Sequence, residues 1–381
     1  MPQMPWCAST LKAQWKIPRN NILHIHTGFF FMKNNHLVIM AGGAGSRFWP
    51  LSSEERPKQF LDVTGCGKTL LQLTAERFEG IVPPENLWVV TSANYENLVR
   101  EQLPQVPAQN VLLEPCRRNT APCICYVSWK IKKRDPRANV IVAPSDHKVK
   151  DVKNFRKAIV EALDFAAETD SIVTLGMKPT HPETGYGYIK ADLSCSSSLQ
   201  HNIYRVDAFK EKPTLEVATE YLKQNNYFWN SGLFLWNVST IINAFRVYQP
   251  EISQVFESML PDYDTPKEQE SINRLFPSCE NISVDYAILE KAEEIFVYPA
   301  DFGWSDLGSW SSLQQELEQD KYGNAIVGSN IDLYDTHNCI VHATGEKKVV
   351  VQGLDGYIVV ERDGVLLICK MSEEQRIRTF H

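Results

Sequence analysis

The sequence has no Cys-x-x-Cys pair, no surplus of positive charge, and no apolar run approaching the ~18 residues that cross a bilayer. Each absence removes a class of function. The nine cysteines lie scattered at positions 7, 66, 116, 123, 125, 195, 279, 339 and 369. An odd, unpaired set argues against a disulfide framework or a zinc site and for a reducing compartment, so a cytoplasmic location is expected. Cys123 and Cys125 have no second ligand pair at zinc-like spacing and read as ordinary thiols. With 39 basic and 46 acidic residues, the net charge of −7 excludes the broad basic footprint of a nucleic-acid binder, yet leaves room for a local phosphate pocket. Membrane association is not expected. The apolar stretch 22–32 is broken by His24, His26 and Thr27 and lacks a small-residue cleavage site, so it is not read as a signal peptide. Residues 1–31 are expected to be an extension without a folding role.

Familiar catalytic signatures are also missing. A dinucleotide fingerprint would need glycine where Phe48 stands. The stretch 62–69 resembles a P-loop but begins with Asp62 and follows no buried strand. No G-x-S-x-G nucleophile elbow occurs.

What is present is alternation. Near-continuous apolar runs at 36–41, 87–92, 110–114, 139–143 and 171–176 predict strands buried on both faces. Helical patterns at 68–79, 94–103, 120–134 and 153–168 lie between them. The expected fold is α/β: a Rossmann-like, mixed but mostly parallel sheet with helices on both faces, spanning 32–310. Ligands of such sheets bind beyond the carboxyl ends of the strands. A polar connecting helix is expected over 311–321. From Tyr322 onward, glycine-punctuated runs at 325–327, 339–342, 348–352, 357–361 and 365–369 predict a small all-β C-terminal domain, 322–381, without a helix-length pattern. Its glycines follow no clean hexapeptide repeat, so periodicity alone does not establish a β-helix.

The first strand runs into Ala41-Gly42-Gly43-Ala44-Gly45-Ser46-Arg47-Phe48-Trp49-Pro50. Glycines at that place let backbone amides approach phosphate. Arg47 follows at once, and Lys58 stands in Arg56-Pro57-Lys58-Gln59-Phe60, so a fork and a point charge could converge on one triphosphate. A solvent-facing basic loop would explain neither the glycines nor their position. Asp146 follows a buried strand, where it could serve a metal or cap a helix; Asp306 could be a turn residue, and Lys212-Pro213 a strand exit.

The loop and Pro57-Lys58-Gln59-Phe60 closely resemble the signature of the mannose-1-phosphate guanylyltransferases, members of the sugar-nucleotidyltransferase superfamily. Phe48 departs from the family's usual Leu-like residue. The resemblance continues in order through Glu114-Pro115, Arg118-Asn119-Thr120-Ala121-Pro122, Pro144-Ser145-Asp146-His147, Thr184-Gly185-Tyr186-Gly187-Tyr188-Ile189, Phe209-Lys210-Glu211-Lys212-Pro213, Trp229-Asn230-Ser231-Gly232, Ser283-Val284-Asp285-Tyr286 and Gly303-Trp304-Ser305-Asp306-Leu307-Gly308-Ser309-Trp310. It implies GDP-mannose and pyrophosphate as products of GTP and mannose 1-phosphate. Another sugar or base, or a non-catalytic sensor on the same fold, is the alternative.

The resemblance also implies roles. Ala41, Gly42, Gly43, Gly45, Ser46, Arg47 and Lys58 would hold the nucleotide, with Arg47 and Lys58 catalytic. Asp146 and Asp306 would share Mg²⁺. Lys212 would take the sugar phosphate, and Glu211, Asn230 and the Gly185 backbone the sugar hydroxyls. Glu114 would lie beside the base, and its two acceptor oxygens suit the adjacent N1–H and N2–H donors of guanine. Asn119 could contact the base or cap the next helix. His147 receives no catalytic role. The C-terminal region would be β-helix-like and support a homo-oligomer. Longer relatives carry a cupin-type isomerase domain for which this sequence has no room, so transferase activity alone is expected.

Overall fold

The computed structural model describes residues 33–43, 45–198 and 202–380. The expected extension 1–31 lies outside the described residues. The first eleven strands are β1 (Asn35–Met40), β2 (Leu87–Ser92), β3 (Val111–Glu114), β4 (Asn139–Pro144), β5 (Lys148–Val149), β6 (Ile172–Met177), β7 (Tyr188–Ser198), β8 (Ile203–Lys210), β9 (Tyr227–Asn237), β10 (Ile295–Ala300) and β11 (Trp304–Ser305). Nine of them form one sheet in the order β3-β2-β1-β4-β9-β6-β10-β8-β7. Only β8 and β9 run against the rest, so the sheet is mixed and mostly co-directional, as expected.

Alternate side chains of each strand enter opposite cores. Val38, Val90 and Val142 pack with helices Thr120–Arg134 and Val238–Tyr248 on one face. Leu37, Ile39, Val89 and Ile141 pack with Leu70–Arg77 and Val152–Glu168 on the other. Burial on both faces explains why these strands read as unbroken apolar runs. β9 is antiparallel to β4 and β6, and a bulge interrupts its pairing with β6: Thr174 faces Phe234, but Gly176 faces Asn230. Such bulges re-aim side chains beside functional sites.

The C-terminal strands are β12 (Ala325–Val327), β13 (Ile331–Tyr334), β14 (Ile340–Ala343), β15 (Val349–Gln352), β16 (Tyr357–Arg362) and β17 (Val365–Lys370). β12, β14 and β16 pair in parallel, β13 and β15 pair in parallel, and β17 closes the edge antiparallel to β16. This is a short β-helix-like coil. Ala325 pairs with Ile340 and Ile340 with Ile358, so successive turns differ in length and leave no regular repeat in the sequence.

Three local expectations are corrected. β13, four residues long with none fully buried, was not foreseen, and neither were β5 and β7 to β11. The connecting helix spans Trp310–Glu316, starting earlier and ending sooner, because Ser309 closes a capping box with Ser312. A 3-10 segment, Met371–Thr379, occupies ground where no helix was expected. It is held by a buried Ile377 and by Glu374, which accepts from the Ser311 amide at 2.9 Å and its hydroxyl at 2.7 Å.

A third core joins the segment after the glycine loop to the C-terminal strands. Phe48, Leu51 and Leu61 meet Trp310 and Leu313 and the strand residues Ala325, Ile340, Ile358, Val360 and Leu367. No helix among the described residues is long and apolar enough to cross a membrane.

Candidate active site

The glycine loop leaves β1 at the carboxyl edge of the sheet. Its shape is fixed from beneath. The Gln59 carboxamide donates to the Ala41 carbonyl at 3.1 Å and the Gly43 carbonyl at 2.9 Å, and the Thr91 hydroxyl donates to the Ala41 carbonyl at 2.9 Å. Gly45 has φ 62°, and a Cβ there would lie 2.7 Å from the Lys58 amide nitrogen. Only glycine allows both the left-handed backbone and that approach. The short 3-10 turn Ser46–Phe48 follows and turns Arg47 outward.

Lys58 sits under this loop and is almost fully buried. Its Nζ donates to the carbonyls of Asp306 at 3.0 Å and Leu307 at 2.9 Å and pairs with Asp146 Oδ2 at 2.9 Å. The Phe48 ring centroid lies 5.4 Å from Nζ, close enough for a cation–π contact that a Leu-like residue could not make. Burial works to raise the Asp146 pKa, but the charges of Lys58 and His147 and the Lys58 hydrogen bond outweigh it, leaving the carboxyl below its ordinary value. Arg77, buried behind it, donates to the His147 carbonyl; burial lowers the guanidinium to about 10 against the opposing pull of Asp146.

A two-stranded ribbon brings the aspartates together. β11 pairs with β5, Ser305 opposite Lys148 and Trp304 opposite Val149. Asp146 lies two residues before β5 and Asp306 one after β11, so this pairing sets them side by side. Asp306 Oδ1 accepts from the Tyr186 hydroxyl at 2.8 Å and the Gly308 amide at 2.8 Å. Burial, and then the Asp306 charge, raise the Tyr186 pKa, so the phenol remains a donor. Leu307 adopts a positive φ of 46°, a sparsely populated conformation held by the Lys58 hydrogen bond and its own burial. Trp304 donates to His147 Nδ1 at 3.2 Å, which places a neutral imidazole's proton on Nε2, 3.9 Å from Asp146 Oδ1. Arg47, Lys58, Asp146, His147, Asp306 and Gly308 line one cavity of about 240 Å³.

A second cavity, about 350 Å³, adjoins it along the loop. Gly42, Gly43, Glu114, Arg118, Asn119 and Pro144 are among its walls. Glu114 is buried, and its Oε1 has no hydrogen-bond partner. Burial pushes this carboxyl up to about 8, a hydrogen bond with Cys123 acting the other way. Asn119 lines this cavity, and its Oδ1 accepts from the Thr120 amide at 2.9 Å at the N-cap of the helix.

On the other side of Asp306 lies a polar cluster. The Lys212 amide donates to the Tyr186 carbonyl at 3.2 Å, and its exposed Nζ meets Glu211 Oε1 at 2.5 Å. Lys212 also has a positive φ, 46°. A Cβ on Gly187 would lie 2.5 Å from Glu211 Oε2 and 3.4 Å from the Asn230 Cβ, so glycine keeps these groups together. The Gly185 amide is engaged by Glu183 Oε1 at 2.7 Å, leaving its carbonyl as the backbone group for a ligand. The structure therefore gathers Arg47, Lys58, Asp146 and Asp306 in one cavity, Glu114 and Asn119 in the next, and Glu211, Lys212 and Asn230 in a cluster beyond. Sequence reasoning missed Gln59, Arg77, Tyr186, Gly187 and Trp304. Gln59, Tyr186, Gly187 and Trp304 stand inside quoted motifs, whereas Arg77 carries no local signal.

Comparisons with known proteins identify the family. Residues 36–322 match the family model described as nucleotidyl transferase. The mannose-1-phosphate guanylyltransferase of Escherichia coli is 35% identical over 90% of this chain and 74% of its own length. The xanthan biosynthesis protein XanB of Xanthomonas campestris is 38% identical over 90% of this chain and 71% of its own. A crystal structure described as mannose-1-phosphate geranyltransferase from Thermus thermophilus superposes with a TM-score of 0.81 at 32% identity, covering 91% of this chain and 98% of that one. The chain belongs to the nucleotidyl transferase family and, within it, to the mannose-1-phosphate guanylyltransferases.

Proposed function

We propose that this chain transfers GMP from GTP to mannose 1-phosphate. A phosphate oxygen of the sugar phosphate attacks the α-phosphorus, the bond to the bridging oxygen breaks on the opposite side, and pyrophosphate leaves with that electron pair. Such chemistry needs positioning and charge neutralisation rather than a protein nucleophile. The observation that carries the reading is the set of three sites: a cavity with a buried carboxyl whose Oε1 is unpartnered, a cavity with two cations and two aspartates, and the cluster of Glu211, Lys212 and Asn230.

In this reading Glu114 accepts from guanine N1–H and N2–H. Loop amides and Arg47 hold the triphosphate, and Lys58 adds a charge fixed before substrate arrives. Lys212 takes the sugar phosphate; Glu211 and Asn230 take hydroxyls. Asp146 and Asp306 fit Mg²⁺: two hard carboxylates face one cavity, and protein donors engage Oδ2 of Asp146 and Oδ1 of Asp306, leaving the second oxygen of each for a cation. When bound, the ion supplies charge neutralisation at phosphate oxygens. The reaction belongs to the cytoplasm, and a homo-oligomer is the proposed assembly.

The test is pyrophosphate release with Mg²⁺, crossing GTP, ATP, UTP and dTTP with mannose 1-phosphate and glucose 1-phosphate. Release confined to GTP with mannose 1-phosphate supports the whole reading. Release with another base overturns the role of Glu114, and release with another sugar overturns the mannose assignment.

A further inference from the structure

Asn230 is oriented more completely than a ligand contact requires. Its Oδ1 accepts from the Gly232 amide at 3.1 Å and the Thr174 hydroxyl at 3.2 Å. A backbone N–H can only donate, so the atom facing it must be oxygen. The carboxamide nitrogen is then fixed on the other side, where Nδ2 donates to Asp285 Oδ1 at 3.0 Å. One Nδ2 hydrogen remains. Asn230 therefore meets a ligand as a donor, while Glu211 nearby meets it as an acceptor. A sugar hydroxyl, which has both a lone pair and a proton to offer, satisfies that pair.

Asp285 comes from a distant element. It opens a π-helical turn, Asp285–Leu289, a geometry frequent at functional sites. The preceding residues are pinned to the helix beside the Glu114 cavity: the Ala121 amide donates to the Ile282 carbonyl at 3.1 Å, and the Val284 amide to the Thr120 hydroxyl at 2.8 Å. The charged groups that face Asp285 are Glu211 and Lys212, with Ser283 adding a hydrogen bond. Burial first, and then repulsion by Glu211, push the Asp285 carboxyl up to about 6.

We propose that Asp285 is a positioning residue for sugar recognition: it locks the Asn230 carboxamide so that its remaining N–H and the Glu211 carboxylate grip hexose hydroxyls. The inference rests on reading this cluster as the sugar side of the site. Its action is on binding of the sugar phosphate and not on the nucleotide or the transfer step.

Steady-state kinetics of the full chain tests it, with mannose 1-phosphate and GTP varied separately. Asp285→Ala is expected to raise KM for mannose 1-phosphate by roughly tenfold or more, the scale of losing a hydrogen bond to a charged group. KM for GTP stays unchanged and kcat changes little. Asp285→Asn, whose amide oxygen still accepts from Asn230 but without the carboxylate's charge, restores only part of the affinity, and the wild type approaches its KM in acid. Wild-type KM for mannose 1-phosphate rises as pH falls through about 6. Relative to wild type, Asp285→Asn loses the part of that rise owed to Asp285, and substrate ionisation is common to both. Should Asp285→Ala fail to fold, the Asp285→Asn pH comparison decides alone. An unchanged KM for the sugar phosphate in folded Asp285→Ala, an equal rise in KM for GTP, or identical pH profiles in wild type and Asp285→Asn overturn the inference while leaving the activity standing. A wild-type protein without turnover of mannose 1-phosphate overturns the underlying reading and the inference with it.

Discussion

Glu114 offers the sharpest test of base recognition, because its protonation state and its proposed role are opposed. Buried without a partner on Oε1, its carboxyl is raised to about 8 in the ligand-free protein. Guanine needs it ionised, since both facing groups of the base are donors. With a value near 8, roughly a tenth of the molecules carry the carboxylate at pH 7 and roughly a hundredth at pH 6. Ionising it at pH 7 costs about 1.4 kcal/mol, which binding must supply. Apparent affinity scales with the competent fraction. KM for GTP should therefore rise about tenfold from pH 7 to pH 6 and level off above pH 8. The assay is initial rate against GTP at saturating mannose 1-phosphate across that range. Glu114→Gln serves as control, because it cannot ionise and GTP's own titration is the same for both proteins. The ratio of the two KM values isolates Glu114. A ratio independent of pH refutes the assignment. Gln offers one acceptor and one donor, the pattern of the adenine Watson–Crick edge, so the variant should also lose roughly tenfold or more in preference for GTP over ATP.

Other expectations concern neighbouring residues. Arg47→Ala and Lys58→Ala should each lower turnover by roughly 10²–10³ with the sheet intact by circular dichroism, and near-wild-type rates in both would remove them from the chemistry. Asp306→Asn should demand more Mg²⁺ for half-maximal rate; an unchanged titration would take it out of the metal site. His342 is buried with neither ring nitrogen partnered, and burial lowers it to about 4 from 6.5. The unfolded chain then binds a proton that the folded one refuses, so stability is full above pH 6.5 and falls by about 3 kcal/mol towards pH 4. Denaturant unfolding of His342→Leu should show a shallower acid slope, and an identical slope would contradict this account.

Much of this architecture was legible because burial on two faces writes itself as apolar runs. β1, β2 and β4 were readable to within a residue or two for that reason, and helix Thr120–Arg134 to the residue. β13 was missed because Asp332 breaks its four residues, whereas its partner β15 carries three successive valines and was foreseen. That the glycine loop, Arg47 and Lys58 come together at the sheet edge was readable from their motifs. How Asp146 comes to lie beside Asp306 was not, because the two-residue strands β5 and β11 are too short to leave a pattern. Arg77 was equally hidden: its value comes from burial behind Asp146, which no local spacing reports. Asp285 stood in a quoted motif, but its partner Asn230 is 55 residues away and only the fold joins them.

The Lys58 contact with the Asp306 carbonyl spans 248 residues of chain. During synthesis, a nascent polypeptide that has emerged as far as β10 already owns every strand of the large sheet, the glycine loop and one of the two aspartates. It lacks the ribbon, the second aspartate and the carbonyls that seat the lysine. The cavity that holds both aspartates therefore cannot close until the ribbon has been made, and an unfinished chain owns the glycine loop and the Glu114 cavity without the proposed means of turnover.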